Sequence, residues 1–187
     1  MRPILLPLLS IFILISGCLG DERTDEGGFS AIKHRRTVEI RKEQTGKELI
    51  LVAVTAIDPT GDGKARRWKF SYNDVTSGFP LNSCSFTVNE RIEVEEDVGA
   101  PLSKTAIRNW TIDSTSAFAG AREAMKEREL INDANVIEVD YIYLLGENSG
   151  CKWYIGTRPY EGDTAEVNVI VDGNTGELLS LSGSKVS

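Results

Sequence analysis

The chain has 187 residues, with 21 lysines and arginines against 28 acidic residues, giving a formal net charge of −7 at pH 7. That length holds one ordinary domain or two small ones. An acidic chain is repelled by phosphate backbones, which disfavours nucleic acid as a partner, and the same balance speaks against a broad basic patch for anionic lipid.

The chain opens Met1-Arg2-Pro3, followed by an apolar run over residues 4–15 that is broken by Pro7 and Ser10. A spanning helix needs about 20 apolar residues, and this run is shorter. A short positive start, a short apolar stretch and small residues after it describe a secretory leader. The exit, Leu14-Ile15-Ser16-Gly17-Cys18, resembles the lipobox of prokaryotic lipoproteins. That resemblance implies cleavage before Cys18, lipid on its thiol and anchoring on the extracytoplasmic face of the cell membrane. Anchoring is stable if more than one chain is attached. A plain leader with an incidental cysteine and an uncleaved anchor are the alternatives. Loss of residues 1–17 removes Arg2 and brings the charge to −8. The expected organisation is a leader over 1–17, a polar, glycine-rich tether over 18–29, an N-terminal half over 30–105 and a C-terminal half over 106–187.

The expected fold class is α+β. Ser30 is placed to cap a helix over residues 30–44, with Gly46 where such a helix ends. Residues 48–57 are rich in β-formers, Asp58-Pro-Thr-Gly-Asp-Gly-Lys64 is turn chemistry, and Trp68, Phe70 and Tyr72 alternate in the next stretch. After a loop containing Ser77-Gly78-Phe79-Pro80, the residues Cys84, Phe86 and Val88 alternate again, with Glu90 following in phase. Residues 95–105 read as a connector. Asp113 or Ser114 caps a second helix over 114–132, whose apolar stripe includes Ala117, Phe118, Ala121, Ala124 and Met125. Ile137, Val139, Tyr141, Tyr143 and Leu145 alternate over one strand, Trp153 and Ile155 mark a second, and Val167, Val169 and Val171 a third. Each half thus reads as one helix and three strands, with a tryptophan near the start of its middle strand, Trp68 and Trp153. The shared order suggests an internal duplication, with antiparallel meanders burying one sheet face under a helix. The halves then pack on each other or continue one sheet.

Four sites merit weighing. Cys84 and Cys151 remain once Cys18 is lipidated, and an even pair in an exported chain suggests one disulfide, against two buried free thiols. The sole histidine, His34, lies in Lys33-His34-Arg35-Arg36, where a solvated surface residue is the expectation; with no second imidazole and no Cys-x-x-Cys, neither a catalytic triad nor a zinc site is indicated. Asp58-x-Thr60-x-Asp62-Gly63 is similar to the start of a calcium loop, but position twelve is Lys69 instead of a bidentate glutamate, so a hairpin turn is expected. Asn109-Trp110-Thr111 fits the acceptor pattern for N-glycosylation, with an unmodified surface asparagine as the alternative. The expectation is therefore a chain without catalytic residues, metal or cofactor. An open sheet edge offers a place for a peptide strand, with the tryptophans and tyrosines as anchors or, more simply, as core.

Residues 110–180 resemble the PepSY domain. The resemblance is carried by the helix from Ser116-Ala117 to Met125, the strand through Tyr141, Gly150-Cys-Lys-Trp153-Tyr-Ile, and the ending Val167-Asn-Val-Ile-Val-Asp172-Gly-Asn-Thr-Gly176-Glu-Leu-Leu179. The family's Asp-x-x-Thr-Gly-Glu element followed by two apolar residues is complete there. Asp172 and Thr175 suit bonds to nearby backbone, and Gly176 a left-handed turn, so the element reads as structural. The first half lacks this ending after Val88 and is similar in element order alone. The resemblance implies a cystatin-like helix on an antiparallel sheet, and a non-catalytic module. PepSY domains occur in propeptides of thermolysin-like metallopeptidases, where restraint of the peptidase is the role ascribed to them. The partner it implies is an exported peptidase or another envelope protein. A structural envelope lipoprotein with no peptide ligand is the alternative.

Overall fold

The structure, a computed structural model, describes residues 28–102, 104–131, 138–148, 150–158 and 166–183. The leader, Cys18, the tether up to residue 27, Asn132 and Ile137 lie outside the described residues.

In chain order the elements are α1 (Arg35–Gln44), β1 (Leu49–Pro59), β2 (Ala65–Asp74), β3 (Asn82–Asn89), β4 (Val94–Gly99), α2 (Ser114–Glu127), β5 (Glu138–Glu147), β6 (Gly150–Arg158), β7 (Val167–Asp172) and β8 (Leu178–Ser182). The α+β class holds, and the two halves continue one sheet. Its eight strands run β4-β3-β2-β1-β5-β6-β7-β8, every neighbour antiparallel. Each half therefore supplies four strands, not three. The expected connector begins as β4, whose Val94, Glu96 and Val98 pair with Val88, Phe86 and Cys84. The segment after Gly176 becomes β8. Both are edge strands, which need satisfy only one side and so tolerate weak apolar alternation.

One face of the sheet is the core. Across it run Phe86, Phe70, Val54, Leu144, Trp153 and Val171, each paired with the next through the strand register and each buried. The opposite face carries Glu95, Thr87, Lys69, Thr55, Tyr143, Tyr154, Ile170 and Ser180 in one row over all eight strands. Both helices pack on the core face. α2 contributes Ala117, Phe118, Ala121, Ala124 and Met125 as expected, ending earlier than residue 132; α1 contributes Val38 and begins at Arg35 after a turn over 31–34.

The three tryptophans are core. Trp68 and Trp153 meet edge to face at 6.2 Å and Trp110 meets Trp153 at 5.9 Å. Their indole N–H groups are all satisfied. Trp68 donates to the Phe29 carbonyl at 2.7 Å, Trp153 to the Ile112 carbonyl at 2.8 Å, and Trp110 to that same carbonyl at 2.7 Å. In each half, the tryptophan of the second strand thus bonds the backbone segment that leads into that half's helix.

The helix starts also meet. The Asp113 carboxylate accepts from its neighbour Ser114 N–H at 2.8 Å, capping α2, and from the Ile32 N–H at 3.0 Å, while the Ser114 hydroxyl accepts from the Ala31 N–H at 3.1 Å. One Asp-Ser pair satisfies the start of α2 and of the turn that leads into α1.

Candidate functional site: an apolar end of the sheet

Nine large apolar side chains are exposed among the described residues, and five of them, Ile50, Phe79, Leu81, Val98 and Leu102, belong to one end of the first half. That end carries the start of β1, the β2–β3 loop and the exit of β4. Phe79 is 71% exposed and Leu81 59%. Scattered apolar residues are ordinary on a surface; a gathering on one end marks contact.

The support beneath them is what makes this a site. Asn73 and Asp74 end β2 and are buried polar residues. Asn73 clamps the β4 exit with two bonds: its amide donates to the Leu102 carbonyl at 2.9 Å and its carbonyl oxygen accepts from the Leu102 N–H at 2.8 Å. Asp74 shapes the next loop. Its carboxylate accepts from the Thr76 N–H at 3.1 Å and from the Thr76 hydroxyl, and its backbone carbonyl accepts from the Leu81 N–H at 3.2 Å. Lys47 lies 3.7 Å away. These donors, the Thr76 hydroxyl first and then its N–H, hold the Asp74 carboxyl below its usual range. Gly78 takes φ 82° at the turn before Phe79, with open space around it. Two apolar segments distant in sequence are thus fixed by adjacent side chains of one strand end, the pre-ordered arrangement that contact residues need.

The tyrosines, for which core packing is the simpler expectation and an anchoring role the alternative, divide between the open face and the core. Tyr141, Tyr143 and Tyr154 stack on the open face at 5.2 and 5.1 Å, half-buried. Tyr141 donates to Asn168 and Tyr154 to Glu147, so these two hydroxyls are spent within the chain. Burial, with nearby carboxylate charge, pushes both phenols up to about 12. Gly156 seats the Tyr141 ring: a Cβ there would lie 2.3 Å from it. Tyr72 is in the core.

Two expectations are corrected. Cys84 and Cys151 are free, buried thiols. They sit on β3 and β6, four strand spacings apart, or roughly 19 Å, against the ~7 Å limit between bonded cysteines. Cys84 contacts Glu96 and Cys151 contacts Asn174, and burial pushes both thiols up to about 11. His34 is 6% exposed, not solvated: it ends the turn before α1 and packs edge-on against Phe29 at 4.4 Å.

Residues 60–64 form the β1–β2 turn, after Asp58 and Pro59 close β1, with Asp62 accepting from Thr60 and from the Lys64 N–H. The Asp172 carboxylate accepts from the Asn174 and Thr175 N–H groups, both at 2.8 Å, Thr175 accepts from the Glu177 N–H, and Gly176 takes φ 79°. Asn109 is exposed at φ 55°, while the Thr111 hydroxyl beside it donates to the Asn174 carbonyl.

No family model matches the chain, and no curated protein matches it. Among solved structures, the chain is similar to the crystal structure of a "putative lipoprotein" from Clostridium difficile 630, at 14% identity and a TM-score of 0.50. The match covers 79% of this chain and 90% of that one. At that identity the likeness shows the fold alone.

Proposed function

We propose that this chain is an exported, lipid-anchored binding module without catalytic activity, which meets a protein partner of the cell envelope through the apolar end of its sheet. The carrying observation is the pair Asn73 and Asp74, buried at one strand end, which bond the backbone of Leu102, Thr76 and Leu81, while the Leu102, Phe79 and Leu81 side chains of these segments are exposed. Ordering exposed apolar groups has no folding benefit, and its use lies in contact. The lipobox-like Leu14-Ile15-Ser16-Gly17-Cys18 supports the anchor, and the name of the Clostridium difficile neighbour agrees with it. The sole imidazole is buried against Phe29, which supports a non-catalytic role.

The PepSY-like reading of the second half is supported by α2 lying against β6, β7 and β8 and by the Asp172–Gly176 turn. The duplication is supported by the repeated indole-to-backbone bond. An exported peptidase is one partner that the family reading offers. The test is retention of envelope proteins by the mature chain and by a Phe79→Asp, Leu102→Asp variant. A partner retained by the first and lost, by roughly 100-fold, from the second is expected, as two contact residues at 1–2 kcal/mol each imply. Equal retention by both would remove the apolar end from the account.

A structural envelope lipoprotein is favoured by one observation: two basins among the described residues are shallow and lined mainly by polar residues such as Arg41, Gln44, Arg66 and Arg91, so neither suits a buried peptide side chain.

A further inference from the structure

Resting on the lipid-anchored reading, we infer that the opposite end of the sheet faces the membrane, where Arg66, Arg67 and Arg91 meet the phosphates of anionic lipid headgroups and Ile92 enters the interface. The apolar end then points away from the membrane, toward a partner.

The first ground is where the chain leaves. Phe29 and Ala65 exchange backbone bonds at 3.0 and 3.1 Å, and Gly28 lies so close to the Ala65 carbonyl and the Arg66 N that a Cβ would meet them at 2.6 and 3.1 Å. The route back to Cys18 therefore starts beside Arg66. Ten residues extended reach about 35 Å at most, so a lipid on Cys18 holds the exit beside Arg66 within that distance of the bilayer.

The second ground is what the end presents. Arg67 pairs with Asn89 in the β2–β3 register, which brings the β1–β2 and β3–β4 turns together. Between them is an open basin of about 590 Å³ lined by Asp58, Arg66, Arg67, Asn89, Glu90, Arg91 and Glu93. Asp58 is taken by Arg67 at 3.2 Å, and Glu93 accepts the Asn89 amide at 2.6 Å. Among the described residues, Arg66 and Arg91 have no carboxylate partner. Three arginines balance the three acids of this basin, which is therefore neutral in a chain of charge −7 and leaves the guanidinium groups of Arg66 and Arg91 open to a phosphate. Guanidinium suits phosphate through paired N–H donors.

The third ground is Ile92. It is β-branched, held at φ 64° and 54% exposed at the tip of the β3–β4 turn. The left-handed region penalises a β-branched residue, and exposure gives nothing back. The tip is firmly built, because the Asn89 side chain accepts from the Arg91 and Glu93 N–H groups, both at 3.0 Å. A strained apolar tip beside a cation fits a headgroup interface, where apolar contact and charge attraction add.

The test uses the mature, lipidated chain on vesicles. A polarity-sensitive dye is placed at Ile92→Cys, or at Ser77→Cys in the far loop as control. Vesicles are phosphatidylcholine alone or with a minority of phosphatidylglycerol. The expected result is a blue-shifted emission, shielded from an aqueous quencher, at position 92 on anionic vesicles, with position 77 unchanged. Arg66→Gln and Arg91→Gln should each lower the shielded-to-free ratio about five-fold, and added salt should do the same. Equal response at both positions, or no dependence on phosphatidylglycerol or the arginines, would overturn the orientation. The mass of Cys18 in the same sample separates the two readings. Lipid present with an indifferent position 92 removes only the orientation, whereas lipid absent removes the anchor, and the orientation with it.

Discussion

His34 shows how little a local run of charges says about one side chain. Lys33, Arg35 and Arg36 surround it in sequence, yet the imidazole is turned inward against the Phe29 ring. Burial, and then the Lys33 charge, lower its pKa from the ordinary value. A base whose folded pKa is depressed leaves the unfolded chain to bind the proton first. Stability is then whole above the ordinary histidine range, about 6.5, and is lost as pH falls from there toward the folded value. Thermal melts between pH 8 and 5 should show this loss, and His34→Gln should flatten it; an unchanged slope in the variant would place the dependence elsewhere. The cysteines give a second prediction at this scale. With both thiols buried and pushed up to about 11, native protein should resist alkylation near neutral pH, and unfolded protein should take two labels on Cys84 and Cys151 without reductant. A mass showing none would restore the disulfide.

Most strands were legible because their alternation is unbroken: Trp68, Phe70 and Tyr72, or Val167, Val169 and Val171, share a face in the sequence and in the fold. β5 was legible in extent but not in face. Counting by twos groups Val139 with Tyr141, Tyr143 and Leu145, whereas Ile142 and Leu144 are the buried pair. The reason is a bulge: the register with β6 shifts between Val139 and Tyr141, and one extra residue turns every following side chain to the other face. β1 carries a matching shift between Leu51 and Ala53. The apolar end was missed for a related reason, since Phe79 and Leu81 sit in a loop with no period, and their companion Leu102 is bonded at that end by Asn73, 29 residues away in sequence. Between the shifted part of β1 and the end of β5 the connector threads through, Thr105 bridging Gly146 and the Ile107 N–H bonding the Leu51 carbonyl at 2.8 Å. A Cβ on Gly146 would lie 1.9 Å from the Thr105 carbonyl, backbone against backbone. Gly146→Ala should therefore cost on the order of 3 kcal/mol or more in denaturant unfolding. Gly120→Ala, on the exposed side of α2 with nothing within 4 Å, should gain about 0.5–1 kcal/mol. A mild effect at Gly146 would mean that the connector does not thread the seam.

At the scale of the molecule, the two halves are bound by three devices: a short β1–β5 ladder over Ala53, Val54 and Thr55, the tryptophan cluster, and the Asp113-Ser114 cap shared between the helix starts. Asp113→Ala orphans two amides, so its expected cost is about 2 kcal/mol, above the ~1 kcal/mol typical of a lost cap, with unfolding still a single transition. Two separate transitions would mean that the halves fold independently. The same frame sets the two ends of the sheet apart, one beside the N-terminal exit and the other bearing the clamped apolar residues. The most direct test of that division is photocrosslinking in intact cells, with a photoreactive residue at position 79 or, on the outer side of α2, at position 123. Discrete adducts with an envelope protein at position 79 and none at 123 are predicted. No adduct at 79, or the same pattern at both positions, would contradict the assignment of the apolar end as the contact surface.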